Sequence, residues 1–215
     1  MTKPTTNEIW VFGDLRTRHL LDLSLKVLVK ASHLAAQTGD RVILFTLSSA
    51  KSTRVLTTSV DDACAITATV ADEAIAWGAD TVYFFENEQF SIPLVHQFAD
   101  ALNPILDQHL PRLVLFPLTD FGRDLAARSA SSTRAGLMAD CVELKPGQDG
   151  AVIGLCPAWG GEIMAEITYA KGHGTGFATV QPEGATGEKD STRKGRIEHI
   201  PLAALPEPKG IRLVS

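Results

Sequence analysis

From Glu8 to about Thr133 the sequence alternates short runs of β-branched and aromatic residues with stretches whose apolar residues recur at helical spacing. This alternation constrains the fold more than any other feature, because neighbouring parallel strands cannot be joined by a tight turn and need a crossover long enough to hold a helix. The strand candidates are Ile9–Phe12, Arg41–Leu47, Thr81–Phe85 and Leu113–Pro117, each nearly continuous in apolar residues. Strands covered on both faces have that composition. The expected fold class is therefore α/β with three layers, a mostly parallel sheet carrying helices on both faces.

The first helix is expected over Leu21–Gln37, where Leu21, Leu25, Leu28, Ser32 and Ala35 share a face and Gly39 supplies the stop. A second, Val70–Trp77, ends at Gly78 in the same way. A third, Leu94–Gln108, aligns Leu94, Phe98, Leu102 and Ile105, and Pro104 predicts a kink or a split in it. Ser48–Asp62, rich in Ser and Thr, is assigned no element. After Gly136 the rhythm changes: Met138–Leu144, Ala151–Cys156, Ile163–Tyr169 and Phe177–Val180 read as antiparallel strands joined by tight turns, one of them Pro146–Gly150. The expectation is one domain, with an α/β core over 1–135, a β extension over 136–182, and a connector over 183–215 in which Arg196–Leu205 could add an edge strand.

A length of 215 residues suits one core with an elaboration. A net charge of −5 leaves no excess of cations to neutralise phosphates, which argues against a broad nucleic-acid surface while leaving a local anion site open. The mixed-sign run Glu188, Lys189, Asp190, Arg193, Lys194 and Arg196 reads as a solvated connector. Cys64, Cys141 and Cys156 are widely spaced, and neither a zinc motif nor a disulfide framework follows from them, which fits a reducing cytoplasm. Met1–Asn7 lacks the basic start and apolar core of a signal peptide, and no apolar stretch is long enough to span a bilayer. A cytoplasmic protein with no direct membrane insertion is expected.

Strand Leu113–Pro117 leads through Leu118–Phe121 into Gly122, Arg123 and Asp124 and then a small-residue helix, Leu125–Thr133. In an open α/β sheet such a loop lies at the carboxyl ends of the strands, where helix N-termini offer N–H groups to anions. Those three residues are the cofactor-binding candidates. The alternative is that Gly122 makes the turn, Asp124 caps the helix and Arg123 faces solvent. The sequence holds no GxGxxG after the first strand, no GxxxxGK[ST], no GxSxG and no HExxH, so no catalytic residue is nominated. The run Gly172–Gly176 is glycine-rich but sits between two strand candidates, as a hairpin tip would.

Four segments in order carry a resemblance: Gly122–Arg128, Gly136–Cys141, Pro157–Ala165 and Ala178–Pro182, joined by Glu8–Phe12 and Ala76–Tyr83. Together they closely resemble the N-terminal domain of the electron-transfer flavoprotein alpha subunit family, over nearly the whole chain. The resemblance implies an electron-transfer component rather than a catalyst. In that family a second, Gly-rich domain follows and holds FAD, and the present chain stops where that domain would begin. The implied assembly contains FAD not bound by this chain alone, a beta-like subunit that can carry AMP or a second FAD, and a dehydrogenase as a further partner. A flavin domain on a separate polypeptide is one alternative, and a stand-alone binder of adenine nucleotides or other small molecules is another.

Departures from the family pattern cluster at Cys156-Pro157-Ala158-Trp159-Gly160-Gly161-Glu162 and at His173–Phe177, with Gln181 beyond. Trp159, Gly160, Gly161, Glu162 and His173 are the interface candidates, because a large ring beside glycines can present apolar area and free peptide groups to another chain. The competing reading puts Trp159 in the core under the hairpin.

Overall fold

The computed structural model describes residues 5–49, 63–170 and 172–203. The first strand, β1 (Thr6–Phe12), leads into α1 (Arg18–Thr38), β2 (Arg41–Ser48), α2 (Ala63–Ala76), β3 (Thr81–Glu86), α3 (Val95–His109), β4 (Pro111–Pro117) and α4 (Asp120–Thr133). Six strands follow: β5 (Leu137–Cys141), β6 (Glu143–Pro146), β7 (Val152–Ala158), β8 (Ile163–Thr168), β9 (Gly176–Val180) and β10 (Arg196–Pro201). Seven of the strands form one sheet in the order β10-β3-β2-β1-β4-β9-β5, and every pairing in it is parallel. The strands β6, β7 and β8 make a separate antiparallel sheet.

Side chains alternate across the large sheet as its pleat requires. Ile9, Val11, Leu44, Val82, Leu113 and Leu115 pack with Leu21, Leu25 and Leu28 of α1 and Val70 and Ala74 of α2. Trp10, Phe12, Phe45, Phe85, Val114 and Phe116 pack with Phe98 and Leu102 of α3 and Leu125 and Ala126 of α4. The second face is an aromatic cluster, with Trp10 beside Phe45 and Tyr83 and Phe98 edge-on to Phe121.

The four expected strands and the two glycine stops form, with Gly39 capping α1 at φ 75°. The second helix starts seven residues before the position expected from its periodicity, at Ala63 rather than Val70. The third continues through Pro104 without splitting. Pro104 and Asp100 lie on the exposed face, so the Asp100 carbonyl that loses its intrahelical partner can turn to water. Most of Ser48–Asp62, assigned no element from sequence, lies outside the described residues.

The expectation of one antiparallel set after Gly136 is corrected. Met138–Leu144 is not a single strand: Asp140 takes a left-handed φ of 60°, the register shifts between Met138 and Cys141, and the chain leaves the large sheet for the small one. Phe177–Val180 lies in β9, parallel to both β4 and β5 and inserted between them. A parallel pair needs a crossover, and the antiparallel sheet itself supplies it, standing where a helix stands in the earlier units. The Tyr169 ring closes that crossover. A side chain at Gly176 or Gly136 would meet the ring at 2.5 or 2.9 Å, and the Tyr169 hydroxyl donates to the Phe177 carbonyl at 2.6 Å.

Lys30 of α1 ties the junctions together by donating from Nζ to the carbonyls of Val142 at 2.8 Å and Gln181 at 2.7 Å. The charged connector is exposed yet anchored. Arg193 pairs with Asp80 at 2.6 Å and reaches the Gly78 carbonyl, and the Asp190 N–H donates to the Ala76 carbonyl. These contacts deliver the chain to β10, the edge strand expected near Arg196.

Candidate functional site

The chain proceeds from β1 toward β2 on one side of the sheet centre and from β4 toward β5 on the other. Such a switch point opens a crevice at the carboxyl ends of the two central strands, the usual ligand position in open α/β sheets. Here Gly13 follows β1 so closely against β2 that a Cβ would lie 3.1 Å from Thr46 Cγ2. Asp14 is buried, and Arg16 returns over it with Nε 2.9 Å from Oδ1 and Nη2 2.7 Å from Oδ2. The Arg16 guanidinium also sits 4.0 Å above the Phe121 ring at the start of α4. The Arg16 guanidinium is therefore already neutralised and stacked.

Helix α4 begins at Asp120, two residues before the sequence-expected turn at Gly122. Thr119, not Asp124, is its cap, and its hydroxyl accepts from the Gly122 N–H at 3.0 Å. Gly122 lies in the first helical turn, where a Cβ would stand 2.2 Å from the Pro117 carbonyl oxygen, so its role is close backbone approach. Arg123 pairs with Asp140 at 3.0 Å, and Asp124 is exposed. The three cofactor candidates are thus adjacent, with the Gly122 N–H capped by Thr119 and the Arg123 guanidinium paired.

The second candidate surface is the β7–β8 hairpin. Trp159, Gly160 and Gly161 form its turn with φ of 52°, 70° and 93°, and a Cβ on either glycine would meet nothing within 4 Å. The glycines serve backbone conformation, not packing. Trp159 is 82% exposed, which removes the reading that it fills the core. Glu162 beside it is exposed as well. In β8, Ile163 is 54% exposed, Met164 50% and Ile167 39%. The pairing of Ala158 with Ile163, Pro157 with Met164 and Gly154 with Ile167 puts Ile163 and Ile167 on one face and Met164 on the other. Since β8 is also an edge strand, one row of its peptide groups is unpaired within the small sheet.

The hairpin does not include His173. That residue lies beyond the far end of β8, its ring 4.5 Å from the Tyr169 ring, lining a cleft of about 310 Å³ with Leu106, Asp107 and Thr133. Burial pushes the His173 imidazole below its usual pKa. Two features escaped the sequence reading. Ile163, Met164 and Ile167 read there as ordinary strand residues, although an apolar run on both faces of a terminal strand is the available signal. The second is a contact between Cys141 and Cys156, whose sulfurs lie 3.2 Å apart. Among the described residues no cluster of His, Cys, Asp and Glu is suited to a metal, and no helix is long and apolar enough to cross a membrane.

The sequence model of the electron transfer flavoprotein domain matches residues 9–205. The chain is similar to the electron transfer flavoprotein subunit alpha of Thermoanaerobacterium thermosaccharolyticum, 28% identical over 191 residues that cover 88% of this chain and 53% of that protein. It is also similar to Protein FixB of Rhizobium meliloti, at 32% identity over 66% of this chain and 40% of the relative. A shorter match, 33% identical over 45% of this chain and 23% of the relative, is to the LctC subunit of a lactate dehydrogenase (NAD(+),ferredoxin) from Acetobacterium woodii. The chain thus spans about half the length, or less, of these relatives.

Proposed function

The chain belongs to the electron transfer flavoprotein domain family, and from that premise we propose that it is a docking and scaffolding subunit of an electron-transfer assembly. Its partner is a beta-like subunit, and a dehydrogenase is the further partner that delivers electrons. The observation that carries this reading is β8, an edge strand with Ile163, Met164 and Ile167 exposed beside Trp159. Apolar area next to unpaired peptide groups suits strand addition or apolar packing by another chain. The proposed setting is the cytoplasm.

The described residues do not fit a dinucleotide such as FAD. Arg16 is held by Asp14, Thr119 caps the N-terminus of α4 beside the acidic Asp120, and the glycine-rich run 172–176 precedes a strand rather than a helix. The flavin that gives such an assembly its redox chemistry is accordingly assigned to another polypeptide segment, with AMP or a second FAD on the beta-like partner. The work left to this chain's own residues is to hold that partner against β8 and Trp159.

Co-expression with a beta-like chain, followed by native mass spectrometry and an absorbance spectrum, tests the proposal. The expected result is a stable complex with flavin absorbance that is lost together with the partner. A chain that stays monomeric beside its partner would overturn the reading, and calorimetric binding of AMP or ATP to the isolated chain would favour a stand-alone nucleotide binder in its place.

A further inference from the structure

Cys141 ends β5 in the large sheet and Cys156 lies in β7 of the small one, both buried, with Sγ atoms 3.2 Å apart. Their approach is built into the backbone. The Val142 N–H donates to the Leu155 carbonyl at 2.8 Å, which fixes the residues flanking both cysteines against each other. Gly154 leaves the space this needs, because a Cβ there would stand 2.8 Å from the Cys141 sulfur and 3.1 Å from that of Met138. Closure to the covalent S–S distance of about 2.05 Å asks for a shift of roughly 1 Å.

We infer that Cys141 and Cys156 form a redox-responsive dithiol site, which a small hydroperoxide converts to a disulfide that staples the antiparallel extension to the parallel sheet. In the first step one sulfur attacks a peroxide oxygen and the O–O bond breaks. The thiol proton goes to the departing oxygen, leaving a sulfenic acid and one molecule of water or alcohol. In the second step the other sulfur attacks the first, the S–O bond breaks, and the released hydroxide takes the remaining thiol proton to leave as water. Two thiols are oxidised by two electrons and one O–O bond is reduced. Burial holds Cys141 as the neutral thiol at neutral pH, which slows attack by that sulfur.

The site concerns how the extension is held and stands whether or not β8 docks a partner. Its test uses the full chain with Cys64→Ser, so that only the two thiols remain. After hydrogen peroxide, unfolding and iodoacetamide, the expected product is a monomer that takes up no label, with a peptide joining Cys141 to Cys156 in a non-reducing map. Dithiothreitol should restore two labelled thiols. The staple should raise the Tm by roughly 5–10 °C relative to the reduced protein and slow amide exchange across residues 142–170. With Cys156→Ala added, peroxide should give no internal cross-link and no rise in Tm. Two labelled thiols after peroxide, conversion to sulfinic acids, or cross-links only between molecules would each overturn the assignment.

Discussion

The two sheets treat the same kinds of residue in opposite ways. In β1 of the large sheet Ile9, Trp10, Val11 and Phe12 are all buried, two against α1 and α2 and two against α3 and α4. In β8 of the small sheet Ile163, Met164 and Ile167 stay exposed, and among the described residues no strand pairs with its outer edge. Folding accounts for the first set through burial worth about 25 cal/mol per Å². It accounts for little of the second, and the proposed association is what would give the apolar character of β8 a use.

The sharpest way to break this contrast is to truncate one aromatic residue on each side of it. Trp10 is buried among Phe45, Tyr83 and His109, and its Nε1 donates to Glu8 at 3.0 Å. Trp10→Ala should lower folding stability by about 3–5 kcal/mol, read from the denaturant midpoint. A loss below about 1 kcal/mol would show that the large sheet does not depend on its aromatic face. Next in size is Gly122→Ala, which drives a methyl group into the Pro117 carbonyl and should cost about 2–3 kcal/mol by the same measurement. If stability is unchanged, α4 can move off β4 freely and the switch-point crevice is not rigid.

For the small sheet the expected effect moves from folding to binding. Trp159→Ala should change stability by no more than about 0.5 kcal/mol, yet weaken association with a beta-like partner by about 2 kcal/mol. Ile163→Glu should do the same through the neighbouring position on β8. Calorimetry against the purified partner separates these outcomes, and unchanged affinity in both variants would remove β8 as the docking strand.

The legibility of the chain follows the same division. Strands buried on both faces leave continuous apolar runs, so β1 to β4 were readable, as were the stops at Gly39 and Gly78. In the antiparallel sheet β7 and β8 are legible as short strands, whereas β6 runs on from β5 in the sequence pattern and the sheet's place as the crossover between β5 and β9 is not legible. Direction and partner of a five-residue strand such as β9 are set by tertiary packing, here the Tyr169 ring against Gly136 and Gly176, and leave no local signature. At the switch point, Gly122 stood out as a glycine, but its cause, a carbonyl 2.2 Å from an imagined Cβ, belongs to the packing of α4 on β4. Departure from the family pattern joins His173 to Trp159 in the sequence, and a shared departure says nothing about distance along β8. The contact between Cys141 and Cys156 joins two sheets, and a spacing of fifteen residues could not announce it.

The smallest expected effect contrasts one ion pair from each region. Arg18 of α1 makes two hydrogen bonds to Glu73 of α2, at 2.7 and 2.8 Å, bridging the helices that cover one face of the large sheet. In the small sheet Lys145 meets Glu166 across the exposed face. The hydrogen bonds from Arg18 hold the Glu73 carboxyl below its ordinary pKa of 4.5 against the opposing effect of burial. A carboxyl depressed in the folded state binds fewer protons there than in the unfolded chain, so stability rises with pH between the two values. The Glu73 contribution is therefore fully present above about pH 4.5 and is lost as pH falls through the lower folded value. Its size should stay below about 1 kcal/mol, because Arg18 is half exposed and screened by solvent. Glu73→Gln should remove that part of the acid dependence and lower stability slightly at pH 7, whereas Glu166→Gln should leave stability unchanged within about 0.5 kcal/mol. Urea midpoints measured from pH 3 to pH 7 for both variants decide the matter. Equal losses from the two substitutions would mean that solvent screens the bridge between α1 and α2 as fully as the pair on the open sheet.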